Sequence, residues 1–196
     1  IAINAGRIVD LLPEQTARQD FSPTQEIKLN QHIILPGLIN THCQSSMRLL
    51  RGRYTAPEMS TQKDIFNKQH SLVVESDFVR DSNLLAMAEM IKNGITCFAD
   101  MCFPQEVLLE TVRNVGLRCQ ISFMVSDNPT PFAQTAEAHL HKGLNLYDRI
   151  GEYPLLRVAC APQDLHCMSD TALDLLSTYT NELDLSLHIP CHQSAD

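Results

Sequence analysis

No block of Lys or Arg occurs anywhere in the 196 residues, and 15 basic residues stand against 23 acidic ones, for a formal net charge of −8. Nucleic-acid binding needs a basic patch to meet phosphate, and this chain offers none. The same balance disfavours anionic membrane surfaces. No apolar run approaches the ~18 residues of a membrane span, and no signal-peptide pattern is visible. Low-complexity runs are missing too, while 44% of the residues are hydrophobic, so a packed core is expected rather than disorder. The seven cysteines are odd in number and no pair is spaced C-x-x-C. Cys97, Cys119 and Cys160 lie inside apolar, strand-like runs. Buried thiols in a reducing, cytoplasmic compartment account for them.

What is there falls into two parts. Residues 1–35 read as a small β layer. Asn4-Ala5-Gly6 is a hairpin signal between Ile1–Asn4 and Arg7–Val9, and strand-like pieces resume at Glu26–Leu29 and His32–Ile34. From Pro36 to 196 the pattern changes to strands alternating with helices. Leu38-Ile39-Asn40 is a short apolar strand ending at Thr41-His42. Asp77–Asn93 is predicted helical, with Leu84, Leu85, Ala88 and Ile91 on one face and Gly94 as its stop. Ile95–Ala99 is the next strand. Pro104 opens a helix with an apolar stripe of Val107, Leu108, Val112 and Val115, ended by Gly116. Strands at Arg118–Val125, Leu155–Ala161 and Leu185–Ile189 follow, with helices near Thr135–Tyr147 and after Ser169. Such alternation predicts a parallel sheet of the α/β class. Five strands are too few for a closed barrel of ~250 residues, so either more chain completes the barrel or the sheet is open. Both ends read as cuts rather than natural termini.

One block is specific. Leu35-Pro36-Gly37-Leu38-Ile39-Asn40-Thr41-His42, followed by Met47-Arg48-Leu49-Leu50-Arg51-Gly52, resembles the first-strand signature of the amidohydrolase superfamily. The likeness is to the branch of adenosine-type and guanine deaminases, triazine hydrolases and chlorohydrolases. Gly94-Ile95-Thr96 with Phe98-Ala99-Asp100-Met101, Ala161-Pro162, and His188 through Gln193 resemble later segments of the same pattern. The resemblance implies a partial (β/α)8 TIM-like barrel preceded by the small N-terminal β layer. It also implies metal-dependent hydrolysis of C–N or C–Cl bonds in purine- or triazine-like heterocycles. In that chemistry, imidazoles at strand ends hold Zn²⁺ or Fe²⁺, which lowers the pKa of a bound water, and a fifth-strand Glu moves protons.

By that resemblance His42 matches the first metal ligand. Gln44 stands where the second His belongs, Pro190 where the fifth-strand His belongs, and Gln193 where the proton-shuttling Glu belongs. Gln163 replaces a substrate-contacting His. An amide oxygen is a poor zinc ligand, a proline side chain has no donor atom, and a glutamine cannot titrate. The remaining family ligands come from strands beyond this chain. No metal cofactor is therefore expected. A centre rebuilt from His42, His188 and His192, with Cys43 and Cys191 nearby, would be the route by which zinc or iron returned. The alternative zinc signature H-x-E with P-C-x-x-C is absent.

Plainer roles are expected for the rest. His42 can bond a backbone carbonyl, His188 can point outward by strand alternation, and Asp100 can cap a helix or bond a neighbour. His139 and His141 are expected to be solvated, while His70, Asp164 and His166 carry only loop polarity. Met47, Met87, Met90 and Met101 are expected to fill the core. A small heterocycle is the expected partner, with neither nucleic acid nor membrane. Homo-oligomers would follow if an unclosed barrel exposed its edges.

Overall fold

In the computed structural model, which describes residues 1–52, 76–101, 103–163, 165 and 168–189, glycine and proline punctuation becomes element boundaries. The chain divides into two units, Ile1–Pro36 and Gly37–Asp196. In the first, β1 (Ala2–Asn4) and β2 (Arg7–Asp10) form an antiparallel hairpin. Its turn places Ala5 at φ 47° and Gly6 at φ 73°, a left-handed pair. The expected strands at 26–29 and 32–34 do not form. Instead α1 (Glu14–Asp20) appears, with Arg18 paired to Glu14 and Glu26. A strand needs a neighbour for its backbone groups, and none stands beside 26–34 among the described residues.

The second unit holds β3 (Leu38–Cys43), a 3-10 helix (Ser45–Leu50), α2 (Ser76–Lys92), β4 (Ile95–Asp100), α3 (Gln105–Val115), β5 (Arg118–Val125), α4 (Ala136–Ile150), β6 (Leu156–Pro162), α5 (Asp170–Glu182) and β7 (Ser186–Leu187). The five strands lie in the order β3-β4-β5-β6-β7, and every pairing is parallel. This is the curled half-barrel sheet expected from the sequence. Gly116 closes α3 in the left-handed conformation (φ 76°). Thr135 and Ser169 cap α4 and α5 by accepting from the backbone N–H of Ala138 and Ala172.

Strand alternation sorts the sheet into two faces. On one, Phe98, Cys119, Ile121, Phe123 and Cys160 pack against Met87, Leu108, Leu109, Val112, Leu140 and Leu146 from the helices. Burial pushes the Cys119 thiol up, and lifts that of Cys160 to about 12, so both stay protonated fillers. The other face of β5 carries Gln120, Ser122 and Met124 toward the barrel interior.

Two glycines mark close approaches. A Cβ on Gly37 would lie 2.1 Å from Thr96 Oγ1, which accounts for the glycine of the first-strand block. A Cβ on Gly143 would lie 2.2 Å from the Phe123 ring. The face of α2 differs from expectation. Val79, Ser82, Asn83, Ala86, Met87 and Met90 are buried, while Leu84 and Ile91 are exposed. Polar Ser82 and Asn83 turn inward because they bond the 3-10 helix, which reading apolar spacing alone could not reveal.

Candidate functional site

Every strand of the half-barrel ends on the same rim, where catalytic groups of such barrels gather. His42 is the penultimate residue of β3, Gln163 follows β6, and His188 follows β7. Strand β5 contributes Ser122 from further inside. Parallel pairing brings these residues together although they are far apart in sequence.

Their geometry is a hydrogen-bonded chain. Ser122 Oγ lies 2.8 Å from His188 Nδ1, and His188 Nε2 lies 2.8 Å from His42 Nδ1. The two imidazoles meet edge to face, with centroids 5.0 Å apart and planes at 89°. His188 therefore points inward, not outward as expected, because Ser122 offers it a buried partner. His42 engages this ring rather than a backbone carbonyl. Burial, then the neighbouring His42, hold the His188 imidazole below its usual range, against the opposing pull of Asp100. Sequence reading missed Ser122. Its signal is a lone hydroxyl on the interior face of β5, between Gln120 and Met124.

Gln44 caps the start of the 3-10 helix, exposed, with no side-chain cap bond. Gln163 is half-buried, its backbone N–H donating to Val125 O at 2.9 Å. Its Oε1 is buried and finds no partner among the described residues, leaving an acceptor at the rim. Pro190, Cys191, His192 and Gln193 lie outside the described residues, as do His70, Asp164 and His166.

Asp100 and Cys43 face away from the interior. Asp100 is fully buried, its Oδ2 accepting from Ser45 N (2.9 Å) and from the Cys43 thiol (3.2 Å). Burial, then the Asp100 charge, push Cys43 far above the usual thiol range, so it is no thiolate ligand. Glu89 on α2 accepts from both Arg48 and Arg51, pinning the 3-10 helix. That ion pair explains the arginine of the Leu-Leu-Arg-Gly block. His139, expected in solvent, is buried at 2% exposure between Thr130 Oγ1 and Thr135 O, each 2.9 Å from a ring nitrogen. Among the described residues, no three His, Cys, Asp or Glu side chains group closely enough to hold a metal ion.

Known proteins share this architecture. The profile of the amidohydrolase family matches residues 33–195. The 5-methylthioadenosine/S-adenosylhomocysteine deaminase of Teredinibacter turnerae is 35% identical over 100% of this chain and 45% of its own length. That of Saccharophagus degradans is 32% identical, over 100% and 44%. The chain thus spans less than half the length of these relatives. A zinc-bound adenosine deaminase from Xanthomonas campestris superposes with TM-score 0.85 at 27% identity, over 95% of this chain and 43% of that one. Escherichia coli guanine deaminase, at TM-score 0.61 and 18% identity over 79% and 36%, shares the fold. With sequence and fold in agreement across nearly its whole length, this chain belongs to the amidohydrolase family, in its deaminase branch.

Proposed function

We propose that the whole protein holds a purine- or triazine-like heterocycle at the barrel mouth, and that its metal-dependent hydrolysis is lost or impaired. The observation that carries this reading is the bond between His42 and His188. Of the family's metal and proton-transfer positions in this chain, only His42 keeps its residue type. In a hydrogen bond between two imidazole nitrogens one carries the proton and the other gives it its lone pair, so neither coordinates while the bond stands. Both nitrogens of His188 are engaged, one with Ser122. His42 Nε2 is then the imidazole nitrogen left at the rim among the described residues. Zinc sites recruit three or four imidazole, thiolate or carboxylate ligands, and this donor set does not fit that need. Gln44 and Gln163 can accept and donate hydrogen bonds to a heterocycle edge, which favours binding over hydrolysis. In this reading the protein is a pseudoenzyme that serves as a small-molecule-binding or interaction module.

The test uses the full-length protein. Elemental analysis after dialysis should find well under one equivalent of zinc or iron per chain. A retained equivalent would refute the reading and favour a centre rebuilt on His42, His188 and His192. Thermal shift with adenine, 5-methylthioadenosine, S-adenosylhomocysteine and a triazine should reveal stabilisation by at least one of them. No shift with any would remove the binding half of the proposal.

Two further features belong to this reading. No helix among the described residues is long and apolar enough to cross a membrane. Cys43, Cys97, Cys119 and Cys160 are free thiols, which supports a cytoplasmic setting. Leu38 and Ile39 on the edge strand β3 are 57% and 67% exposed, so these residues expressed alone should self-associate.

A further inference from the structure

Behind the rim, between β3, β4 and α2, lies a buried polar cluster with no part in the reading above. Ser45, Ser46, Ser82, Asn83 and Asp100 are each at most 2% exposed. Ser45 links them, its N–H donating to Asp100 Oδ2 at 2.9 Å and its hydroxyl to Asn83 Oδ1 at 2.8 Å. Asn83 and Asp100 are therefore neighbours across one residue. Three atoms of this cluster are buried without a partner among the described residues, namely Ser46 Oγ, Asn83 Nδ2 and Asp100 Oδ1. Buried polar groups are seldom left unpaired; two of these belong to residues that Ser45 holds side by side, and the third to the residue next to Ser45 in the chain, so one explanation is sought for all.

Their chemistry selects it. Asp100 Oδ1 can only accept, Asn83 Nδ2 can only donate, and Ser46 Oγ can do either. A cation would suit the carboxylate but face the amide N–H. An anion would suit the amide but face the carboxylate. Water donates twice and accepts twice, so it satisfies all three. We propose that an internal water is bound between Asp100 Oδ1 and Asn83 Nδ2, with Ser46 Oγ as its third partner. This water completes the wall behind β3 and holds Cys43–Ser46, the segment that follows His42. The site is independent of whether the protein hydrolyses, binds or does neither.

Crystals of the full-length protein grown in sodium and in rubidium salts provide the test. The expected result is a density peak at roughly 2.7–3.2 Å from both Asp100 Oδ1 and Asn83 Nδ2, equal in the two salts. A peak that scatters more strongly with rubidium would overturn the water in favour of a cation on a reversed Asn83 amide. Direct Asp100–Asn83 bonding with no peak would overturn the site altogether. Asn83→Leu fills the space and should shift the ring ¹⁵N resonances of His42. A folded variant with unchanged resonances would overturn the role in holding the strand end. The wild-type crystals decide the site itself even if that variant does not fold.

Discussion

Replacing Gly143 with alanine sets two effects of known size against each other. In an exposed helix interior the change stabilises by about 1 kcal/mol. Gly143 sits inside α4, however, where the new methyl would lie 2.2 Å from Phe123 Cδ2 and 2.4 Å from Cγ and Cε2. That is about 1.3 Å short of an ordinary carbon–carbon contact. Phe123 has 0% exposure and belongs to the core shared with the helices, so the ring cannot swing into solvent. Either α4 lifts off the sheet or the ring leaves its rotamer. Overpacking of this kind costs about 1–3 kcal/mol, and a contact this short belongs at the upper end. The net expectation is a destabilisation of about 1–2 kcal/mol. Urea unfolding of the full-length protein would show a lower midpoint with an unchanged slope. Phe123→Leu should relieve the clash, so the double mutant should be more stable than the single effects sum to, by roughly 0.5–3 kcal/mol. A Gly143→Ala variant that gains about 1 kcal/mol, as an exposed site would, refutes the packing argument.

Gly37→Ala should also destabilise, since its Cβ would overlap the Thr96 side chain, and trimming Thr96 to alanine should recover part of the loss in the same unfolding assay. Ser122→Ala removes the partner of His188 Nδ1; the two ring ¹⁵N spectra should change together and stability should fall by about 1 kcal/mol, whereas a change confined to His188 would break the proposed chain. Burial holds His139 below its ordinary value, so near pH 6 the unfolded state binds more protons than the folded one. Its contribution is therefore complete above about pH 6.5 and declines as pH falls from there toward the lower folded-state value. His139→Gln should flatten that limb of a stability-versus-pH curve, and an unflattened limb would assign it elsewhere. Gln44→His alone should restore neither bound zinc nor turnover, as elemental analysis and an ammonia-release assay would show, because Pro190 and Gln193 remain.

The strands and their order were legible because each is apolar, short, and bounded by a glycine or a capping residue such as Gly94, Gly116 or Ser169. The first-strand block made the strand ending at His42 and Gln44 legible. Other features depend on partners brought from far along the chain. Asn83 is buried because Ser45 bonds it, and Ser45 lies 38 residues away. His139 looks like a surface histidine until the Thr130 loop folds over it. His188 turns inward only because Ser122, 66 residues earlier, waits on the interior face of the sheet. Hydrophobic spacing carries no trace of such pairings, since the residues concerned are polar.

The strand order has a consequence for synthesis. Each strand in β3-β4-β5-β6-β7 pairs with the one made just before it. No strand of this sheet has to wait for a partner made later, and paired residues lie 21 to 58 positions apart. At about 5–20 residues per second, a ribosome delivers one strand–helix unit every few seconds, far slower than such a unit docks. The sheet can therefore grow by accretion on its newest edge, each arriving strand covering the one before. Beside the standing edge of β3, the growing sheet then offers its crowded surroundings one fresh edge at a time.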